Sequence, residues 1–226
     1  MSRERSQNRT VLSIDAMGGD LGPAAVVAGI SHSAKINPDL HFILHGPEAE
    51  LRHLVNRRRA LAGRVDIRDA TDMVTMDDKP SQVLRTGRNT SMWSALEAVR
   101  AGEAEVCVSC GNTGALMAMS KLALRTMQGI DRPALAALMP TLEEHDVIML
   151  DLGANTEADA RNLVQFAVMG AAYARIVNGF EKPRVRLLNI GTEEIKGTES
   201  LRDAATALQQ ATGLDMQFDG FVESDK

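Results

Sequence analysis

The chain has 226 residues, 44% of them hydrophobic, enough for one large domain or two small ones with a packed core. Its formal charge of -5 and pI near 5.6 argue against the concentrated basic face of a nucleic-acid binder, and no window reaches the roughly 18 consecutive apolar residues of a membrane span. Residues 1–10 are polar without the apolar stretch of a signal peptide, so a disordered tail on a cytoplasmic protein is expected there, followed by a single α/β domain over 11–226.

Residues 11–14 are an apolar run ending at Asp15-Ala16-Met17-Gly18-Gly19-Asp20-Leu21-Gly22-Pro23, and Pro23 opens a helix over 24–34. This glycine turn matches neither G-x-G-x-x-G nor the P-loop pattern. Asp15 and Asp20 could bind a cation, orient backbone donors or accept a proton; a strand end at Asp15 and a helix cap at Asp20 are the structural alternatives. Asn37-Pro38 breaks the helix, 41–44 reads as a second strand, and a helix follows over 47–62. That helix carries Arg52, His53, Arg57, Arg58 and Arg59, either a solvated face or a docking patch for an acidic partner. A third strand is predicted over 65–70. Residues 71–89 read as a loop or lid with a helical turn near 81–84, and Lys79, Arg85 and Arg88 are its candidate anion contacts.

A helix over 90–100 closes at Gly102, and an apolar strand over 105–108 leads into Ser109-Cys110-Gly111-Asn112-Thr113-Gly114 and a helix over 115–127. A helix start leaves its first N–H groups without partners and favours negative charge by roughly 0.3–1 kcal/mol. Gly111 and Gly114 let the backbone approach a ligand, and Asn112 and Thr113 add side-chain donors; alternatively either of the latter caps the helix. Cys107 and Cys110 form a C-x-x-C, but residues three apart in a strand point to opposite faces, so no redox pair is expected.

Beyond a turn at 128–133 and an extended run over 134–139, a strand over 146–150 ends at Asp151-Leu152-Gly153-Ala154-Asn155, ahead of a helix over 158–177. The last core strand, 185–190, ends in Asn189-Ile190-Gly191-Thr192-Glu193-Glu194-Ile195-Lys196-Gly197, followed by a helix over 198–211 and an extended segment over 216–222. Lys196 is the cation of these strand-end turns, placed to neutralise a phosphate or a developing oxyanion, or else a solvated helix-start lysine. Alternating strands and helices predict a parallel-sheet, Rossmann-like three-layer α/β fold with its ligand at the carboxyl edge. Four small polar turns on that edge predict one phosphate-type cleft. They hold no histidine, and G-x-S-x-G and H-E-x-x-H are absent, which argues against a covalent hydrolase. Holding two substrates together and stabilising charge is the chemistry that remains. No cofactor and no metal ligand is assigned.

Six separated motifs, in order, resemble the phosphate acyltransferase family of bacterial phospholipid synthesis. They are Asp15-Ala16-Met17-Gly18-Gly19-Asp20, Gly111-Asn112-Thr113-Gly114-Ala115-Leu116-Met117, Asp131-Arg132-Pro133-Ala134, Asp151-Leu152-Gly153-Ala154-Asn155, Gln165-Phe166-Ala167-Val168-Met169-Gly170 and the stretch from Leu187 to Gly197. The resemblance implies a fold of the isopropylmalate dehydrogenase and phosphotransacetylase group, a homodimer, and the reaction of acyl-[acyl carrier protein] with inorganic phosphate to give acyl phosphate and free carrier. On that reading the N–H groups after Gly111, with Asn112 and Thr113, bind phosphate. Lys196 with Asn155 or Asn189 assists charge at the thioester carbonyl, and Asp15 or Asp20 steers the attacking oxygen. Gly18, Gly19, Gly114 and Glu193 complete the substrate contacts. The acidic carrier would dock on Arg57, Arg58 and Arg59 or around Arg85 and Arg88. This chain departs from the family at Cys110, where a small residue is usual, at Arg186, where glycine is usual, and at the loose motif Gly87-Arg88-Asn89-Thr90. The family also continues past Lys226 with an Asp-Gly-Phe-x-Gly-Asn-type motif and a segment tied to peripheral membrane association. The rival readings are a nicotinamide-dependent decarboxylating dehydrogenase, from the shared fold group, and a carrier-binding module without turnover.

Overall fold

The computed structural model describes residues 9–142, 145–153, 155, 157–193 and 196–224. Most of the expected tail, and Ala154, Glu194 and Ile195 of the predicted turns, lie outside the described residues. The chain divides into two compact units, Met1–Arg125 and Thr126–Lys226, where the sequence reading treats 11–226 as one domain.

In the first unit, β1 (Thr10–Asp15) starts inside the expected tail, its first N–H donating to Asp39 O at 3.1 Å. The elements that follow are α1 (Gly22–Ile36), β2 (Leu40–Gly46), α2 (Glu48–Asn56), β3 (Val65–Asp69), α3 (Pro80–Thr86), α4 (Ser91–Arg100), β4 (Val106–Ser109) and α5 (Thr113–Leu124). The four strands are parallel in the order β3-β2-β1-β4. The order reverses beside β1, so the turns after β1 and β4 flank the switch point where open parallel sheets bind ligands.

Strand alternation divides the sheet faces chemically. Ile14, Phe42 and Leu44 point into a core shared with Val27, Ile30 and Ala34 of α1 and Leu51 of α2. The opposite face presents Ser13, Asp15 and His45, all at most 2% exposed, beneath α4. Helix α4 turns Ser91, Ser94 and Ala95 onto this polar strip, the i, i+3, i+4 spacing that shares one helix face. Ser13 Oγ donates to Ala95 O at 2.8 Å and lies 2.9 Å from His45 Nε2, while His45 Nδ1 lies 2.7 Å from Ser94 Oγ.

The predicted helix over 47–62 is shorter than expected. α2 ends at Asn56, Arg58 is extended, and a single 3-10 turn at Arg59–Leu61 buries Leu61 to 1% exposure. Burying that leucine needs a bend that a continuous helix would not make. Arg64, just after the expected basic helix, is structural: its guanidinium donates to the carbonyls of Ala34, Asn37, Pro38 and Leu40, satisfying the carboxyl end of α1 and the turn after it.

The second unit contains β5 (Ala136–Met139), β6 (Val147–Leu150), α6 (Ala160–Asn178), β7 (Arg184–Leu188), α7 (Glu199–Gln210) and β8 (Gln217–Val222). Strands β7 and β8 pair in parallel, but β5 and β6 pair antiparallel. Residues 140–146 are too short for a crossover, which takes about a dozen residues or more, so the chain returns as a hairpin. The four predicted turns therefore do not share one sheet. Two end β1 and β4, one follows β6 and one follows β7. No described helix is long and apolar enough to cross a membrane.

Replacing Arg64 by alanine leaves four carbonyls without their charged donor. A loss of roughly 1.5–3 kcal/mol of unfolding free energy is expected in urea denaturation. Burial, and then Arg68, press the His45 imidazole from 6.5 down to about 4. Between those values the unfolded chain binds the extra proton and the folded chain does not, so this group's contribution is full above about pH 6.5 and is lost as pH falls to about 4. The loss amounts to about 3 kcal/mol, and His45→Gln should flatten that part of the stability–pH curve.

Candidate functional site

Asp15, the last residue of β1, is 2% exposed and carries a dense set of contacts. Ser91 Oγ donates to its Oδ1 at 2.6 Å, Ser109 Oγ donates to its Oδ2 at 2.7 Å, and Met17 N–H reaches Oδ1 at 3.2 Å. Ser109 Oγ in turn accepts from Gly111 N–H at 3.1 Å. One carboxylate thus joins β1, the start of α4 and the β4 turn. Charge-assisted donors offset the cost of burying it.

The two turns touch where both are glycine. A Cβ on Gly18 would lie 2.7 Å from Ser109 Oγ and 2.8 Å from Gly111 N, and one on Gly19, at φ 95°, would meet Cys110 Cβ at 3.1 Å. Close approach of two backbones is the reason for glycine here. Asp20 is exposed and makes no side-chain cap to α1.

Asn112 does not offer its side chain to a ligand. Its Oδ1 accepts from Ala115 N–H at 3.0 Å as the N-cap of α5, and its Nδ2 faces the carbonyls of Thr75, Met76 and Asp78 at 2.9–3.2 Å. The cap that the sequence allowed is the observed role, extended into a clamp on the predicted lid. Gly111 N–H is likewise spent on Ser109. What remains open is the backbone: the N–H groups of Thr113 and Gly114, in the first turn of α5, and of Gly18 and Gly19 have no acceptor among the described residues. Thr113 is exposed and Gly114 half-buried. These groups can receive an anion at the switch point.

The second-unit residues are engaged locally. Asn155 Nδ2 donates to Asp151 Oδ1 at 2.9 Å and to Pro133 O at 3.2 Å. Asn189 Nδ2 donates to Lys196 O at 3.1 Å, and its Oδ1 accepts from Ile190 N–H at 2.9 Å. Lys196 Nζ lies 2.9 Å from Glu193 Oε1; that hydrogen bond draws the Glu193 carboxyl below its usual value and the Lys196 ammonium above its own. Both side chains are about half exposed, so water screens the pair.

The sequence reading gives no role to Ser91, and it names Asp131 and Gln165 only within the family motifs. Gln165 Oε1 accepts from Asp131 N–H, and its Nε2 donates to Asp131 Oδ2, both at 2.9 Å, which fixes the turn before β5. A glutamine at the apolar spacing of Leu163, Phe166 and Ala167 is the signal that could have found it. Cys107 and Cys110 are both free; burial, then Asp15, push the Cys107 thiol up to about 12, which keeps it protonated. Arg88 lies 5.7 Å over the Trp93 ring and lines, with Ser94 and Arg100, a cavity of ≈ 450 Å³ beside α4. Among the described residues no group of three or more His, Cys, Asp or Glu could hold a metal ion.

Asn112→Asp keeps the cap acceptor but turns a carboxylate toward three carbonyls. A destabilisation of about 1–3 kcal/mol is expected, with amide-exchange protection lost first in residues 75–78.

The sequence profile described as fatty acid synthesis protein matches residues 10–226. A phosphate acyltransferase of Erythrobacter litoralis (strain HTCC2594) is 60% identical over 215 residues, covering 95% of this chain and 61% of that protein. One of Ruegeria sp. (strain TM1040) is 58% identical over 217 residues, covering 95% and 58%. The chain therefore spans 58–61% of the length of these curated relatives. Among solved structures, a phosphotransacetylase from Streptococcus pyogenes superposes with a TM-score of 0.68 at 18% identity, over 96% of this chain and 69% of that one, a likeness of fold. With the profile spanning both units, this chain belongs to the fatty acid synthesis protein family.

Proposed function

We propose that the chain transfers an acyl group from acyl carrier protein to inorganic phosphate, giving acyl phosphate and the free carrier thiol. The observation that carries this reading is the pair of glycine turns bracketing β1 and β4, with the open N–H groups of Thr113 and Gly114 at the start of a 12-residue helix. A helix start of this kind favours a phosphate at close range. The names of the relatives support phosphate as acyl acceptor, and the family description supports a fatty acyl donor.

In this reaction a phosphate oxygen attacks the thioester carbonyl carbon and a tetrahedral oxyanion forms. The C–S bond then breaks, and the departing thiolate takes up, through water, the proton that hydrogen phosphate gives up on becoming acyl phosphate. No covalent intermediate with the polypeptide is needed, because holding phosphate against the thioester supplies much of the acceleration. The N–H groups of Gly18, Gly19, Thr113 and Gly114 form the phosphate cradle, with Gly111 giving room for close approach and Asp20 at its exposed margin. Asp15 acts through Ser91 and Ser109 by fixing both turns, not by contact with phosphate, whose like charge it would repel. In the second unit Lys196 keeps its half-exposed contact with Glu193. Asn155 and Asn189 serve as supports of their turns.

A cytoplasmic homodimer belongs to the same reading. The apolar stripe of Tyr173, Ile176 and Val177 on α6, 42%, 83% and 48% exposed, supports association with a second copy. Peripheral membrane association is proposed for the longer form of the family.

Incubating the chain with isotopic phosphate and acyl carrier thioester should yield labelled acyl phosphate. Carrier binding without product would favour the binding-module reading instead. Gly18→Ala, which forces the two turns apart, should lower turnover roughly 10²-fold while circular dichroism stays native.

A further inference from the structure

His45 is fully buried near the end of β2, yet no step of the proposed reaction uses it. Its hydrogen bonds determine where its proton sits. The single hydroxyl proton of Ser13 goes to Ala95 O, which can only accept, so at His45 Nε2 the Ser13 oxygen must itself accept. Nε2 therefore carries the hydrogen. In a neutral ring Nδ1 is then bare, and Ser94 donates to it. The chain of donors runs from Ser94 to His45, from His45 to Ser13, and from Ser13 to the backbone of α4.

Both ends of that chain lie on α4, and its middle rests on β1 and β2. One turn earlier on the same helix face, Ser91 donates to Asp15. Ala95 and Ala98 on this face are small and buried, and contacts between small side chains are not directional. The hydrogen bonds through His45 are directional and set the position of α4 along the sheet.

We propose that His45, as the neutral Nε2–H tautomer bridging Ser13 and Ser94, is a positioning residue that sets the depth of α4 on the sheet and thereby holds the Ser91 hydroxyl on Asp15. This rests on the reading of the β1 and β4 turns as a phosphate cradle. It adds to that reading the device that keeps the turns in register.

The test combines a spectroscopic and a binding measurement on the 226-residue chain. Long-range proton–nitrogen correlation at neutral pH should show a protonated Nε2 and a bare Nδ1 for His45; a proton on Nδ1 overturns the proposal. Glutamine offers one donor and one acceptor at about the spacing of the two ring nitrogens, whereas phenylalanine offers neither. His45→Phe should weaken inorganic phosphate binding by about fivefold or more, and His45→Gln should hold it within about twofold of wild type. Should the phenylalanine variant fail to fold, Ser94→Ala, which removes only the donor to Nδ1, should weaken binding about threefold. A folded His45→Phe or Ser94→Ala protein with wild-type affinity overturns the proposal. If the wild-type chain binds no phosphate, the cradle reading fails by itself. Crystal structures of the variants then decide the role of His45: a displaced α4 with the Ser91–Asp15 bond broken supports it, and an unmoved α4 refutes it.

Discussion

The carboxylate of Asp15 is the contact on which the candidate site depends. It is buried, and it accepts from two serines that arrive from distant parts of the chain, Ser91 and Ser109. A charge in that position is costly unless every approach to it is a donor, so the two hydroxyls and the Met17 N–H make the corner all-or-none. The turns it ties together are rich in glycine and have little stiffness of their own. Their order is borrowed from the carboxylate, and their closeness from the absence of a Cβ at Gly18.

The same logic extends along one face of the sheet. Ser13, Asp15 and His45 form a polar seam under α4, whereas Ile14, Phe42 and Leu44 on the other face pack against α1 and α2 through apolar contact. Apolar packing gives the larger share of stability but tolerates small displacements; a satisfied polar seam adds direction. Arg64 plays a comparable part at the other end of the sheet, where it gathers the carbonyls left over at the end of α1. The first unit is therefore anchored by polar groups at both ends of its strands, with the open N–H groups of α5 beside one of them.

The second unit has the polar turn residues that the sequence suggested, but it spends them on itself. Asn155 holds Asp151 and Pro133, Asn189 holds the far end of its own turn, and Lys196 pairs with Glu193. Asn112 in the first unit behaves in the same way, joining a helix cap to the 75–78 segment. Small polar side chains in tight turns meet backbone groups before they meet a ligand, because those groups are within reach at every moment of folding. The anion-binding capacity is left to main-chain N–H groups.

Periodicity and turn chemistry in the sequence by themselves determined the alternation of strands and helices, the glycine turns after β1 and β4, and the family, because these depend on residues close together in the chain. They also placed Thr90 and Asn112 at helix starts, where both are caps. Only the tertiary structure decided that β5 and β6 run antiparallel, that the four turns are divided among separate sheets, and that Ser91 and Ser109 meet on Asp15 across 76 and 94 residues of sequence. A serine inside an apolar strand or helix has no local signature of its partner. Which hydroxyl finds which carboxylate is fixed by strand order and helix placement, and those are properties of the packed chain as a whole.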